Sequence, residues 1–223
     1  MAILKVFTNK NDGNLAFHVG DEISNVKSNR ENLKDKYSFS FENLRYMNQV
    51  HKDTIKVVDK SSDFLIDDCD ALITNEKSLP LMVMVADCIP ILLYDEKVGV
   101  IAAVHAGRNS TFLNIASKTA TKMIENFNCE AKNIKAILGP SIQKCCYEVS
   151  QELATIVETS FGKQFVNNRN IDLQGINKKQ LNDIGINDIK ISDYCTKCSG
   201  DDYFSYRKSN KTGRFAGLIE LKD

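Results

Sequence analysis

Three apolar runs in the middle of the chain, residues 81–86, 89–94 and 98–104, constrain the fold more than any other feature. A strand with one wet face alternates apolar and polar side chains, whereas a strand buried on both faces reads as a continuous apolar run. The three runs therefore predict central strands of a sheet covered on both sides. They are not membrane spans, which need about eighteen uninterrupted apolar residues. The longest apolar stretch, residues 79–93, is broken by Asp87 and carries Pro80 and Pro90.

Around this centre the pattern mixes strands and helices. Residues 3–7 and 15–19 read as short strands joined by an Asn/Asp/Gly turn over 9–14. Residues 21–35 are helical in pattern, with Val26 and Leu33 on one face. Residues 46–50, 54–58 and 70–74 are β-rich. A helix is expected from Ser110, with Leu113, Ala116, Ala120, Met123 and Phe127 at helical spacing. A buried strand over 134–138 ends at Gly139-Pro140, helices follow over 149–160 and 178–184, and closing strands over 204–207 and 215–221 flank a turn at Lys211-Thr-Gly213. The class is α/β (α+β). No repeat, low-complexity tract or linker interrupts residues 1–223, so a single domain is expected.

Lys+Arg and Asp+Glu both number 29, which argues against a strongly basic nucleic-acid binder. The first residues, Met1-Ala-Ile-Leu-Lys-Val-Phe7, read as a strand and not as a signal peptide, so a cytoplasmic location is expected. Seven cysteines, an odd number without a secretion signal, point to free thiols, metal ligation or catalysis and not to a disulfide framework. Cys195-x-x-Cys198 reads as a reduced pair, and the adjacency of Cys145 and Cys146 argues against one shared tetrahedral site.

Polar chemistry interrupts the core at three places. Asp87-Cys88 sits inside an apolar run, where a carboxylate is costly unless paired. His105 ends the 98–104 strand and precedes a small-residue turn and a helix start, a layout that projects a side chain beside free backbone N–H groups. Arg108 adds a cation there. His51 ends another β-rich segment. Two imidazoles and one thiolate make a zinc set with one open position. The same residues also make a Cys/His nucleophile pair, with an oxyanion site at the helix start near Ser110. Residue chemistry alone leaves both open.

Longer motifs carry a family resemblance. Asn48-Gln-Val-His51, Asp70-Ala-Leu-Ile-Thr74, Ala86-Asp-Cys-Ile-Pro90, Val104-His-Ala-Gly107, Leu138-Gly-Pro-Ser-Ile142, Cys145-Cys-Tyr-Glu-Val149, Phe204-Ser-Tyr-Arg207 and Thr212-Gly-Arg-Phe-Ala-Gly217 resemble the YfiH family over essentially the whole chain. That family is also called laccase-domain protein or multicopper polyphenol oxidase, peptidoglycan editing factor and purine nucleoside phosphorylase. The resemblance implies a layered α-β-β-α sandwich like that of a bacterial cytotoxic necrotizing factor. It also implies one zinc ion per chain on His51, Cys88 and His105, and cleavage of adenosine, inosine, guanosine or methylthioadenosine with phosphate as co-substrate. Adenosine deamination is a second implied activity, for which zinc lowers the pKa of a water to roughly 7. The family pattern His-Ala-Gly-Trp-Arg-Gly is here His105-Ala-Gly-Arg108-Asn-Ser110. The shift of one residue turns the arginine by about 100° on a helix.

Three histidines in the whole chain do not populate a multicopper cluster, so copper oxidase chemistry is not expected. For phosphorolysis, Asp87 is the candidate for proton transfer or ligand orientation. Arg45, Arg108, Arg207 and Arg214 are candidate phosphate contacts. Tyr147, Phe17 and Phe204 are candidate stacking partners for a purine, and Asn48 and Gln49 candidates for contacting the ligand or orienting His51. The alternatives are a metal-free cysteine hydrolase with Cys88 as nucleophile and His105 as base, acting on an amide of a cell-wall precursor, and a non-catalytic zinc-binding interaction protein. The expected partner is a small nucleoside, with no nucleic acid and no membrane; the sequence leaves the oligomeric state open.

Overall fold

The computed structural model describes residues 2–223. In chain order the first half contains β1 (Ile3–Phe7), α1 (Ile23–Tyr37), β2 (Arg45–Met47), β3 (Ile55–Val57), β4 (Leu65–Ile66), β5 (Ala71–Thr74), β6 (Leu81–Val85), β7 (Ile89–Asp95) and β8 (Val100–Ala106). There follow α2 (Arg108–Phe112), α3 (Ile115–Phe127), β9 (Lys135–Leu138), α4 (Gln151–Ser160), β10 (Val166–Asn167), β11 (Asn170–Ile171), α5 (Leu173–Asp183), β12 (Asp188–Ile191) and β13 (Phe215–Leu221).

The strands build two main sheets. One has the order β1-β13-β6-β2-β4; the other has the order β12-β9-β7-β8-β5-β3. They stack face to face, so every residue of β6, β7, β8 and β13 is buried. The continuous apolar runs have a direct cause. In β6, Leu81, Val83 and Val85 point into the core shared by the sheets, with Leu92, Ile101, Ala103, Phe215 and Ile219. Met82 and Met84 point the other way, toward Leu33 of α1. The second sheet's outer side buries Ile91, Leu93, Ala102 and Val104 against Ala116, Ala120 and Met123 of α3 and Ile176 and Leu181 of α5. The layers are α-β-β-α, as the resemblance implies.

Three local expectations are corrected. Residues 15–19 are not a strand: Leu15 and Ala16 are buried, and Phe17 begins a turn held by Asn14, whose side chain bridges Ala16 and Asp21. Residues 204–207 form no strand but run irregularly into a turn at 206–208, where Asp87 accepts the Arg207 N–H at 2.7 Å and removes it from any ladder. The helix from Ser110 is two helices, broken where Asn114 takes the left-handed conformation (φ +62°). The strand β12, with sequence DIKI, has three of its four residues exposed at a sheet edge and lacks the apolar signal.

Candidate metal centre and the cleft around it

The site forms at strand ends. β7 and β8 are antiparallel, with Ile89 opposite Ala106 and Pro90 opposite His105. Cys88 just before β7 and His105 near the end of β8 therefore meet at the same edge of the sandwich. His51 reaches them from the loop after β2. One donor atom each from His51, Cys88 and His105 lies within 4.8 Å of the others, and the two imidazoles meet edge to face with centroids 4.7 Å apart. A tetrahedral zinc with bonds of about 2.0–2.3 Å holds its donors roughly 3.3–3.8 Å apart, so a small contraction closes this set around an ion. The residues present fit zinc.

Asp70 organises the centre. It is fully buried, and its carboxylate lies 2.7 Å from His105 Nδ1. That contact fixes Nδ1 as the donor and leaves Nε2 as the nitrogen free to bind an ion. The same carboxylate accepts the N–H groups of Val50, His51 and Lys52 at 3.3, 2.9 and 2.8 Å. Those bonds hold His51 in the left-handed region (φ +58°), where a non-glycine residue costs about 1–3 kcal/mol. Burial opposes the charge on Asp70, but the His105 contact and the Lys52 and His51 N–H groups outweigh it and keep its pKa below the ordinary carboxylate value. The sequence signals Asp70 only as a strand start.

Cys88 and His105 perturb each other. Burial opposes the thiolate, yet attraction to His105 and contacts with both imidazoles bring Cys88 down to about 6. Burial likewise opposes the imidazolium, yet Cys88 and Asp70 bring His105 up to about 9. Gly107 explains the small-residue turn. A Cβ there would stand 3.1 Å from Cys88 Sγ and 3.1 Å from His51 Cδ2, so glycine lets the chain pass without pushing either donor aside.

The centre opens on a cleft of about 910 Å³, a size suited to a small organic ligand. Of the residues singled out in the sequence, Asn48, Gln49, Asp87, Tyr147, Arg207, Arg214 and Phe17 line it. Their roles differ. Gln49 locks to Met84, donating to its carbonyl at 2.8 Å and accepting its N–H at 2.9 Å, so its amide serves the backbone. Asp87 is strained (φ +93°), and both of its oxygens are engaged, by the Thr196 hydroxyl and the Arg207 N–H, each at 2.7 Å. It ties the C-terminal segment to the cleft and is not a free base. The Arg207 guanidinium stands 4.8 Å from the Tyr147 ring centroid.

Three expected residues lie elsewhere. Arg45 is buried, with its guanidinium spent on the carbonyls of Asn43, Leu44 and Lys60. Arg108 is exposed and bonds Asn109 at 3.2 Å, outside the cleft lining. Phe204 packs on the inter-sheet core. Conversely, the cleft includes His18, Arg30, Tyr46 and Tyr206, which sequence reasoning did not place in the site. Arg30 is clamped between Phe17 and Tyr46, at 4.5 and 4.2 Å from their ring centroids. Burial, Arg214 and Arg30 together lower the pKa of His18. This end of the cleft is cationic. The helix start expected near Ser110 is that of the five-residue α2, whose N-cap Gly107 lies beside Cys88 and His51, while Ser110 itself is fully buried.

The chain's sequence and its α-β-β-α sandwich are those of one protein family. The family model described as multi-copper polyphenol oxidoreductase laccase matches residues 7–222, and the chain belongs to that family, the YfiH family. A purine nucleoside phosphorylase of Corynebacterium glutamicum is 36% identical over 98% of this chain and 94% of its own. A purine nucleoside phosphorylase of Mycobacterium bovis is 33% identical over 94% of this chain and 84% of its own. The crystal structure of a Bacillus licheniformis protein, YfiH, superposes with a TM-score of 0.92 at 27% identity, covering 99% of this chain and 93% of that one. The description's copper has no matching ligand supply here, since one of the three histidines, His18, lies outside the cluster. No helix among the described residues is long and apolar enough to cross a membrane.

Proposed function

We propose that this chain is a zinc-dependent purine nucleoside phosphorylase, cleaving adenosine, inosine, guanosine or methylthioadenosine with phosphate. The observation that carries the reading is the convergence of His51, Cys88 and His105 at a cleft that also presents arginines. The names of the relatives support it.

In phosphorolysis a phosphate oxygen bonds to C1′ as the bond from C1′ to the purine breaks. The bonding pair leaves with the base, which takes a proton, and the sugar passes through cationic character. His51, Cys88 and His105 would hold a zinc ion, which when bound would supply Lewis-acid charge. The other residues bind and orient. Arg214 spends one nitrogen on the carbonyls of Thr212 and Gly213, and Arg207 one on Glu148. Each guanidinium keeps further N–H donors for phosphate. Tyr147, stacked under the Arg207 guanidinium, gives the cleft an aromatic wall for the purine. Asn48, exposed on the cleft, offers an amide to a ring edge. Asp87 holds the Arg207 backbone and so positions its side chain.

The cysteine-hydrolase alternative uses the same Cys88 and His105, and the names of the relatives favour phosphorolysis over it. Chromatography of adenosine incubated with the zinc-loaded protein decides the matter. Adenine and ribose 1-phosphate appearing only when phosphate is present is the expected result. Inosine as the sole product, or no product, overturns phosphorolysis.

A further inference from the structure

A second cluster of sulfurs lies outside the cleft. Cys145 and Cys146 sit in a turn after β9, and Cys195 and Cys198 in a turn after β12. One sulfur from each lies within 4.8 Å of the others, and Cys145 Sγ and Cys198 Sγ are 3.5 Å apart. We propose that these four cysteines form a tetrathiolate zinc site that staples the two turns together and holds one wall of the cleft in place.

Several observations converge on it. A tetrahedral zinc about 2.3 Å from each thiolate sets its sulfurs about 3.8 Å apart, which the cluster already approaches. The expectation that adjacency keeps Cys145 and Cys146 from one site fails for a physical reason. The N–H groups of Cys146 and Tyr147 both bond the Gln143 carbonyl at 2.9 Å. This helix-like turn lets two consecutive side chains converge on one point. Opposite it, Ser199 N–H bonds the Cys195 carbonyl at 3.0 Å and closes a loop around Cys195-x-x-Cys198. The Gln143 N–H points at Cys195 Sγ at 3.5 Å, a donor that favours sulfur carrying charge. Four neutral thiols gain little from one another, because S–H is a weak donor. A closed set of four sulfurs without carboxylate or imidazole selects zinc, and it leaves no position for substrate.

The placement gives the site a task. Thr196 lies inside the Cys195–Cys198 loop, and its hydroxyl donates to Asp87, the neighbour of Cys88. The Thr196 N–H bonds the Ser141 carbonyl at 3.1 Å. Fixing the two turns on one ion therefore fixes Thr196 on Asp87, and through Asp87 the Arg207 backbone. The segment from Ser192 to Arg214 has no strand or helix of its own to do this.

The test separates this site from the one in the cleft. Cys88→Ala protein, which lacks a cleft thiolate, is made metal-free under reducing conditions and titrated with Co²⁺ and with Zn²⁺. The proposal predicts one equivalent bound, with sulfur-to-cobalt charge-transfer absorption of a four-thiolate site. It predicts loss of both signals in Cys88→Ala/Cys198→Ser and in Cys88→Ala/Cys145→Ser. On the otherwise unaltered chain it predicts two zinc ions by elemental analysis. Limited proteolysis guards against a variant that merely unfolds: chelator treatment of Cys88→Ala should open cleavage between Cys195 and Tyr206 while the rest of the chain stays resistant. No cobalt bound by Cys88→Ala overturns the proposal, as does a Cys145–Cys198 disulfide in freshly purified protein.

Discussion

At the cleft, Cys88 and His105 converge from the ends of β7 and β8 with His51 from the loop after β2; outside it, Cys145, Cys146, Cys195 and Cys198 converge from two turns. The first set has three donors, a buried carboxylate behind one imidazole and open space on one side. The second has four sulfurs with backbone N–H groups around them. The difference follows from what each is built on. β7 and β8 are fully buried and hold their ends rigidly, so they can keep an incomplete coordination shell in place. The turns have little packing of their own and need a complete shell to be held. An open site suits chemistry and a closed one suits architecture. The Thr196 hydroxyl, donating to Asp87, links the two regions.

The largest effect that would break this contrast is removal of the cleft thiolate. Cys88→Ala should reduce phosphorolysis to background and lower bound zinc from two to one per chain, measured by product chromatography and elemental analysis; retained turnover would contradict the assignment. Next comes Asp70→Asn, which keeps the shape but weakens the acceptor for His105 Nδ1 and for three N–H groups. Roughly 10–100-fold weaker metal affinity at the cleft is expected, read by competition with a chromogenic chelator, with the surface site unchanged. Gly107→Ala should weaken the cleft site several-fold, as its Cβ would displace Cys88 or His51 by a few tenths of an ångström.

A pH series sharpens the same comparison at smaller amplitude. The pKa of Cys88 falls from 9.0 to about 6, so in metal-free protein the thiolate fraction rises as pH increases through 6 and is nearly complete by neutrality. Alkylation of the Cys88 peptide by iodoacetamide, followed by mass spectrometry, should reach its plateau near pH 7. Burial pushes Cys69 and Cys129 up to about 12, so both should stay unmodified throughout. A Cys88 midpoint near 9 would remove the imidazole coupling described above.

Much of the architecture was legible because two-sided burial writes itself into sequence as unbroken apolar runs, which locate β6, β7 and β8. The edge strand β12 and the two-residue strands β10 and β11 carry no such mark. Residues 204–207 misled because Phe204 and Tyr206 look β-like, while a carboxylate 120 positions away claims the Arg207 N–H. At the site, the three donors stood out as polar residues closing apolar or β-rich runs. Asp70 did not, since an aspartate before a strand is an ordinary turn residue until His105 is seen against it. The four-cysteine cluster stayed hidden because Cys146 and Cys195 lie 49 positions apart and only the fold joins the two pairs.

The central claim is that His51, Cys88 and His105 hold one ion with a vacant corner. Anomalous scattering at the zinc edge from crystals of the zinc-loaded protein tests it directly. The account predicts a peak about 2.0–2.3 Å from Cys88 Sγ and one nitrogen of each histidine, with no fourth protein ligand. A fourth side chain closing the shell, or these three residues ordered with no peak between them, would contradict it.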